Sequence, residues 1–437
     1  MSETSSPKLK RDITFLTSGF LILNSVIGAG IFALPERMYQ AAGDFSPWLF
    51  PIMGLMMMSI VLSFARITSF FRLTGGPSLY ATAGFGPFVG FQVGWLFYVA
   101  RVLAFAANTN VLIMYSSYLL PDIASGTART AAIFFVCLFL TMVNYYGVKR
   151  AMQALTGFTY LKVIPIILLI IFGLPAVGLD IAIPSDPPPL SALDASILIL
   201  MYAFVGFEGA IVSAGEMKNP RRNLPRALIG TILAITLIYT LIQAVYTANI
   251  SGDVEAAAPL IALGSILGGD IGAIVITLAA IFSIGGNLTS SLIAAPRVSF
   301  SLAKDKLLPK WFGHIHEKYA TPDYAILFTG VLVFILTISG SFVLLAAMSS
   351  VARMLIYATC IASLPKIERA ADEETRNNAY KIPGGMIIPV IGIAFSLWAA
   401  AQSSLEGWKI LGIMALVGTV LYLISKRSYQ NEDKTNV

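Results

Sequence analysis

The sequence alternates between long apolar runs and short polar segments along most of its length. Twelve of the apolar runs reach about 18 residues, the length that lets an α-helix cross the hydrocarbon core of a bilayer. We predict membrane-spanning helices over residues 14–36, 47–70, 87–119, 129–147, 154–177, 194–216, 227–248, 270–302, 322–339, 341–363, 386–404 and 408–425. Lipid offers the backbone no hydrogen-bond partner, so these segments are expected to be helical.

The composition agrees with this pattern. Hydrophobic residues make up 57% of the 437 residues and charged residues only 12%, whereas soluble domains are about 25% charged. The polar stretches between the apolar runs are short loops, so they leave no room for a soluble catalytic domain. The expected fold class is an all-α polytopic membrane protein, surrounded by membrane lipid, with its functional site inside the membrane.

Basic residues mark one side of the membrane. They cluster at 8–11, 218–226 and 304–318 among other alternate loops, whereas 178–190 and 251–259 are acidic or neutral. Lysine and arginine are enriched in cytoplasmic loops, so both termini are predicted to lie in the cytoplasm, beneath the cytoplasmic membrane. The net charge of +6 follows from this topology. It therefore does not indicate a nucleic-acid partner.

Two spans contain residues that interrupt a helix. One lies in the segment VIGAGIFALP (26–35) and the other in VGFEGAIV (205–212), which includes Glu208. Each belongs to the first span of a five-span half, and the two halves run through the membrane in opposite directions. This pattern is typical of inverted-repeat transporters, whose broken helices meet at the midplane. The alternative is that the glycines only let neighbouring helices pack closely.

The pattern divides the chain into two repeats and three smaller parts. The first five-helix repeat covers 14–177 and the second, inverted repeat covers 194–363. Two extra helices follow at 386–425. Tails 1–13 and 426–437 are predicted to lie in the cytoplasm.

Four segments resemble the amino acid-polyamine-organocation superfamily of secondary transporters. They are IGAGIF (27–32), GGPSLYATAGFGPFVGFQVGW (75–95), GFEGAIVSAGEMKNPRRNLPRA (206–227) and RVSFSLAKDKLLP (297–309). The third is the most specific, because it joins the glycine interruption to a basic loop bounded by prolines. The resemblance implies a five-plus-five inverted repeat of the leucine-transporter type with discontinuous helices 1 and 6. It also implies the function of a bacterial amino acid permease.

The interrupted spans offer backbone groups that suit an amino acid. Where a helix unwinds, the following half-helix presents free N–H groups and the preceding half ends in free carbonyls. Unwinding is expected at Gly28, where glycine also lets a substrate approach closely. The N–H groups expected to hold an α-carboxylate are those of Ala29, Gly30 and Ile31. The carbonyls expected to hold an α-ammonium are those of Val26, Tyr202, Ala203 and Val205. Tyr202 and Phe204 either form an aromatic gate or only pack.

Lys162 is the first candidate for energy coupling. In proton-coupled or exchanging members of the superfamily, a lysine at the corresponding place occupies the position that sodium fills in sodium-driven relatives. Removal from water favours the neutral form of an ammonium, so Lys162 is suited to link protonation to occupancy of the site. The alternative is that its side chain extends to the inner membrane surface.

Glu208 is the second candidate. By resemblance it matches a glutamate that takes part in the pH response of arginine/agmatine antiporters. It is either a proton carrier or the partner of a buried arginine, for which Arg101 and Arg353 are the possible charge partners. Glu216 is expected to form an ion pair at the cytoplasmic end of the same span.

The charges in the spans bear on the substrate. Cations outnumber carboxylates there, so no surplus carboxylate is present to bind a cationic substrate. We therefore expect a neutral amino acid, or an acidic one if Arg101 or Arg353 faces the pocket. Transport is expected to be proton-coupled and sodium-independent, and obligatory exchange with another amino acid or an amine is the alternative.

Other function classes find little support. An enzyme would need a nucleophile or a metal site, but the two histidines, His314 and His316, share one loop without a nearby cysteine. A channel would need a repeated filter or a polar ring. A receptor that does not transport would be separated from a carrier by an uptake assay. No cofactor and no metal are expected, and whether a partner subunit exists is left open.

Overall fold

The computed structural model describes residues 15–71, 76–147, 149–178, 181, 186–212, 217–250 and 258–435. These residues form α-helices joined by loops and short 3-10 turns. The predicted tail at 1–13 and Glu216 lie outside the described residues.

Eight helices of the first half are named α1 to α8 in chain order. They are α1 Phe15–Val26, α2 Gly30–Ala33, α3 Pro35–Ala42, α4 Ser46–Thr68, α5 Gly76–Phe85, α6 Pro87–Ser116, α7 Gly126–Tyr146 and α8 Lys149–Gly173. The helices of the remaining chain are α9 Leu190–Tyr202, α10 Glu208–Val212, α11 Pro220–Asn249, α12 Pro259–Lys304, α13 Asp323–Ser339, α14 Phe342–Ala370, α15 Glu373–Asn378, α16 Ile387–Ala401 and α17 Leu405–Thr435.

The long helices are apolar enough to cross a membrane. Seven segments of the described chain meet this condition, namely Pro35–Thr68, Pro87–Ser116, Gly126–Tyr146, Arg222–Asn249, Pro259–Lys304, Phe342–Ala370 and Leu405–Gln430. Shorter apolar helices lie at Ser18–Ala33, Leu161–Ala176, Asp323–Ser339 and Ile387–Ala401. The protein is therefore a multi-pass membrane protein, and helical residues lie in every predicted span.

Two features of the helices differ from the sequence prediction. The helix α12 begins at Pro259 rather than at 270, and it bends at Gly268 and Gly269, where φ of Gly269 is +58°. The predicted span thus begins just after the bend. The helix α5 occupies a segment that the sequence analysis left between the spans 47–70 and 87–119.

Small residues allow the helices to approach closely. The helix α4 packs against α11, and α6 packs against both α12 and α14. A side chain added at Gly54 of α4 would overlap the side chain of Thr236 on α11. In a membrane such close packing replaces the hydrophobic driving force between helices.

The two interrupted spans lie side by side in opposite directions. The helix α1, which opens the first span, contacts α10, which closes the second. Likewise α9, which opens the second span, contacts α3, which follows α2 in the first. The chain therefore runs antiparallel through the two spans, so their interruptions meet in the interior of the protein.

Candidate substrate site

The first break comprises residues 27–29, between α1 and α2. Leu34 keeps helical angles (φ −88°, ψ −35°), so α2 and α3 continue each other as one half-helix. Within the described chain, the backbone N–H groups of Ala29, Gly30 and Ile31 make no hydrogen bond, whereas those of Phe32 and Ala33 donate to Ala29. The sequence prediction named these same free donors. They lie at the positive end of the half-helix, where an anion is favoured.

The second break comprises residues 203–207, between α9 and α10. Gly206 has φ of +118°, a conformation that favours glycine. The hydroxyl of Ser25 donates to the carbonyl of Gly206 over 2.8 Å. A Cβ atom on Gly206 would come within 2.5 Å of the Ser25 carbonyl oxygen. The second break is therefore in direct contact with the last turn of α1, next to the first break, and this contact requires glycine.

A cavity lies between the breaks. The residues that line it are Ser25, Val26, Gly28, Ala29, Gly30, Arg101, Ala104, Asn108, Tyr202, Val205, Gly206, Asn287, Ser291 and Arg353. Six of the nine predicted substrate residues belong to this lining, together with both predicted arginines. The cavity thus brings the free N–H groups of α2 together with two buried cations.

Three predicted substrate residues lie beside the cavity and not on its wall, namely Ile31, Ala203 and Phe204. Phe204 is fully buried and packs edge-on against Tyr239 at 5.6 Å between ring centroids. Ala203 packs closely on Gly30. A Cβ atom added at Gly30 would lie 2.9 Å from the Ala203 Cα atom. In this conformation Phe204 therefore packs, and Tyr202 is the aromatic residue on the cavity wall.

Two buried amides connect the helices around the cavity. The Asn287 side chain donates to the Ser25 carbonyl over 2.9 Å and accepts from the Asn108 amide over 2.8 Å. Asn108 in turn accepts from the Tyr202 hydroxyl over 2.7 Å. These bonds join α1, α6, α9 and α12 and fix which face each amide presents.

Lys162 of α8 lies against the first break. Its side chain has 0% of its surface exposed. Its Nζ donates to the carbonyl oxygens of Ile27 at 2.9 Å and Asn24 at 3.1 Å. The hydroxyl of Ser283 on α12 is 3.5 Å from the same Ile27 oxygen. The ammonium therefore occupies the interior junction of α1, α8 and α12, and does not extend to the membrane surface.

Glu208 forms a buried ion pair with Arg353. Its Oε1 accepts from Nε of Arg353 over 2.7 Å. Its Oε2 accepts from the N–H of Gly206 over 2.9 Å and from the hydroxyl of Tyr357 over 3.0 Å. Of the two possible charge partners, Arg353 is the one that forms the ion pair, and the carboxylate accepts three hydrogen bonds in all.

Arg101 is placed differently. It is 7% exposed, lines the cavity, and lies over the ring of Phe97 at 4.7 Å from its centroid. Its buried Nε has no hydrogen-bond partner. Among the described residues, none accepts a hydrogen bond from the rest of its guanidinium. The cavity therefore contains a cation whose donors are unused.

The sequence of the chain matches the model of the amino acid permease family over residues 13–420. The chain belongs to the amino acid permease family. This permease is 29% identical to the serine/threonine exchanger SteT of Bacillus subtilis, over 97% of its own length and 99% of the relative's. Such proteins carry substrates across membranes, and the permease is accordingly a transporter and not an enzyme.

Other relatives also match over nearly their full lengths. The branched-chain amino acid permease BcaP of Bacillus subtilis is 25% identical, over 98% of this permease and 96% of the relative. The arginine/agmatine antiporter of Chlamydia pneumoniae is 24% identical, over 98% of this permease and 93% of the relative. The names of these relatives cover neutral and cationic amino acids, so membership in the family leaves the side chain of the substrate open.

The sequence analysis missed the amides of the permease. It considered ionisable residues inside the spans because those are the most costly to bury. Asn108 and Asn287 are also polar residues within apolar runs, and a buried amide without a partner is costly too. Extending the search to amides would have found both residues, although their mutual contact needs the structure.

Proposed function

We propose that this permease moves an amino acid across the cytoplasmic membrane by alternating access, with the substrate held between the two breaks. The observation that supports this most strongly is the contact between two antiparallel interrupted helices around one cavity. Free N–H groups of Ala29, Gly30 and Ile31 adjoin it on one side. In membrane proteins, discontinuous helices of this kind place substrate sites near the midplane.

The proposed architecture is twelve spans arranged as two inverted five-helix repeats and two further helices. The repeats are 14–177 and 194–363, followed by 386–425. The reciprocal contacts of α1 with α10 and of α9 with α3 support an inverted relation. The basic loops support cytoplasmic termini at 1–13 and 426–437.

We propose that the protein binds the α-carboxylate and the α-ammonium of the substrate, the two groups that all amino acids share. The α-carboxylate lies against the N–H groups at the start of α2, where the half-helix dipole also favours a negative charge. The α-ammonium donates to carbonyls that end the preceding half-helices, those of Val26 and Tyr202 among them. Both residues line the cavity. This arrangement needs no ionised side chain, which suits a family whose members differ in the side chain they carry.

The substrate's side chain depends on the charges of the cavity. The excess of cations argues against arginine, lysine and polyamines. A neutral amino acid was our expectation unless Arg101 or Arg353 faced the pocket. Both line the cavity, and this supports the acidic alternative.

Coupling is proposed to involve protons and not sodium. Lys162 holds the carbonyls of Asn24 and Ile27, and its ammonium thereby takes the place of a bound cation. When the lysine loses its proton, the attraction between α8 and the first break weakens. Glu208 is the second titratable group beside the cavity, although its full set of hydrogen bonds favours a permanent ion pair. Exchange is the second candidate, because two of the relatives are named as an exchanger and an antiporter.

The test uses the purified permease in proteoliposomes. Uptake of radiolabelled serine, leucine, aspartate, glutamate and arginine is measured in empty and in preloaded vesicles, with an inward pH gradient. Symport predicts accumulation in empty vesicles, whereas obligatory exchange predicts uptake only into preloaded ones. Replacing sodium with choline on both sides is expected to leave the rate unchanged. Absence of uptake for every amino acid in both vesicle types would contradict the proposed function.

A further inference from the structure

We propose that the side chain of the transported amino acid carries a carboxylate, and that Arg101 binds it. This inference rests on the proposed function, because it assumes that the cavity between the breaks is the substrate site. Arg101 then determines specificity, while the backbone of the breaks recognises the groups common to all amino acids.

The first step is that the Glu208 carboxylate is already hydrogen-bonded by the protein. Both of its oxygens accept hydrogen bonds, Oε1 from Arg353 and Oε2 from the Gly206 N–H and the Tyr357 hydroxyl. The side chain is 0% exposed. Glu208 attracts Arg101 electrostatically, but it forms no hydrogen bond with it. Arg353 is therefore the arginine that is hydrogen-bonded to Glu208.

The second step is that Arg353 is already paired with Glu208 and makes further hydrogen bonds to the protein through Nη1. Its Nε donates to Glu208, and its Nη1 is within 3.3 Å of the Ala100 carbonyl oxygen and 3.4 Å of the Ser349 carbonyl oxygen. Nη1 also contacts the Ser349 hydroxyl. Arg353 and Glu208 thus form a neutral, hydrogen-bonded unit on the cavity wall.

The third step is that Arg101 lacks such partners. Its guanidinium lies over the ring of Phe97, and within the described chain no oxygen accepts a hydrogen bond from it. Burial of an unpaired charge is costly, and a guanidinium stays protonated in proteins. Because Arg101 lines the cavity, a substrate placed there meets an unsatisfied cation with several free donors.

The fourth step is the balance of charge around the breaks. Arg101, Arg353 and Lys162 are buried there, and Glu208 is the one buried carboxylate that the described chain places with them. A zwitterion with a neutral side chain brings no net charge to the cavity. An amino acid with a side-chain carboxylate brings one negative charge, and the planar guanidinium can bind that carboxylate through two parallel hydrogen bonds. A cationic side chain would instead be repelled.

The experiment compares acids with their amides, which have nearly the same shape. Counterflow of aspartate and glutamate is measured against that of asparagine and glutamine, for the wild-type permease and for Arg101→Gln. We expect the wild type to prefer the acids by about tenfold or more, since a site built for a polar group strongly rejects an analogue that lacks it. In Arg101→Gln we expect the ratio of acid to amide transport to fall by about tenfold or more, so that the preference for acids is lost. The control is Arg297→Gln, because Arg297 lies outside the cavity lining and contacts the carbonyl of Ile293 on its own helix.

Two results would overturn the inference while the proposed function stands. One is counterflow of amides that matches or exceeds that of acids in the wild type. The other is an acid-to-amide ratio in Arg101→Gln equal to that of the wild type. Absence of counterflow with any amino acid would instead contradict the proposed function itself.

A binding measurement covers the case in which Arg101→Gln does not fold. The thermal midpoint of the detergent-solubilised wild type is measured with glutamate, glutamine and sodium chloride. A larger upward shift with glutamate than with glutamine supports the inference. Equal shifts, or a shift produced by chloride alone, overturn it, because Arg101 would then be serving a neutral side chain or an inorganic anion.

Discussion

The Nζ atom of Lys162 is 2.9 Å from the carbonyl oxygen of Ile27, at the point where α1 ends. The same nitrogen donates to Asn24, one turn earlier. A residue of α8 thus supplies the hydrogen bonds that the end of α1 cannot find within its own helix. The geometry of the first break therefore depends on a side chain that can change its charge.

Replacing Lys162 should abolish concentrative transport while the protein is still expressed in the membrane. We expect Lys162→Gln and Lys162→Arg to lose pH-driven accumulation about a hundredfold, since a displacement of about 1 Å at a functional site has an effect of that size. Arginine keeps the charge but does not lose its proton, so it holds the break without cycling. Accumulation is measured in vesicles with an imposed pH gradient.

The control for this variant is Lys304→Arg, at the C-terminal end of α12, where the ammonium lies over the ring of Phe300. It should accumulate substrate like the wild type. Near-wild-type accumulation by Lys162→Arg would remove Lys162 from the coupling mechanism and leave Glu208 as the remaining titratable candidate.

Bulk at Gly30 should abolish uptake, although for a different reason than the sequence suggested. The sequence analysis placed the substrate carboxylate against the N–H of Gly30, so a side chain there would be expected to compete with the substrate. In the structure a Cβ atom at Gly30 points at the backbone of Ala203, 2.9 Å away. We therefore expect Gly30→Val to push the two breaks apart and to lower the thermal midpoint as well as uptake.

Gly230→Ala is the matched control, because a Cβ atom at this exposed position in α11 has nothing within 4 Å. Its uptake and thermal midpoint are expected to equal those of the wild type. Uptake by Gly30→Val at the wild-type rate would be incompatible with the proposed site.

Changing the Asn287 amide to a carboxylate should destabilise the protein, because the hydrogen-bond network needs a donor at this position. In Asn287→Asp, an oxygen replaces the nitrogen that donates to Ser25. Two acceptors then face each other, and we expect a loss of about 1–3 kcal/mol, the usual effect of leaving a buried group unpaired. The thermal midpoint in detergent measures this. Asn378→Asp, on the exposed helix α15, should show no comparable change.

The pair of Glu208 and Arg353 should behave as a unit. Glu208→Gln leaves Arg353 buried without its counter-charge, a change that typically costs about 3–5 kcal/mol. We expect the double variant Glu208→Gln with Arg353→Met to be more stable than Glu208→Gln alone. A double variant whose thermal midpoint is lower by the sum of the two single effects would show that the residues do not interact.

The sequence predicted the helices and the breaks because both depend on local chemistry. An apolar run of sufficient length has to be a helix in lipid. The glycines at 28 and 206 lie in the two breaks, although glycine elsewhere, such as Gly54, lies within a continuous helix. Lys162 was singled out by the resemblance to the superfamily instead, and in the structure its Nζ lies against the carbonyls of Asn24 and Ile27.

The sequence could not predict which way the side chains of packed helices point. Phe204 is adjacent to a residue of the cavity wall, but its side chain points to Tyr239. Both Arg101 and Arg353 were possible partners for Glu208, and in the folded protein Arg353 makes the pair. These outcomes depend on the relative rotation of packed helices, which hydropathy does not specify.

The contacts at the first break can form only late in the synthesis of the chain. Ile27 obtains its lysine partner 135 residues later, Gly206 meets Ser25 from a distance of 181 residues, and the Asn287 amide reaches Ser25 across 262 residues. The helix α1 thus enters the membrane with exposed carbonyls that only later segments can cover. Until α12 emerges, this part of the nascent protein depends on water or on the insertion machinery for its hydrogen bonds, so a chain truncated before residue 287 should be a substrate for membrane proteolysis.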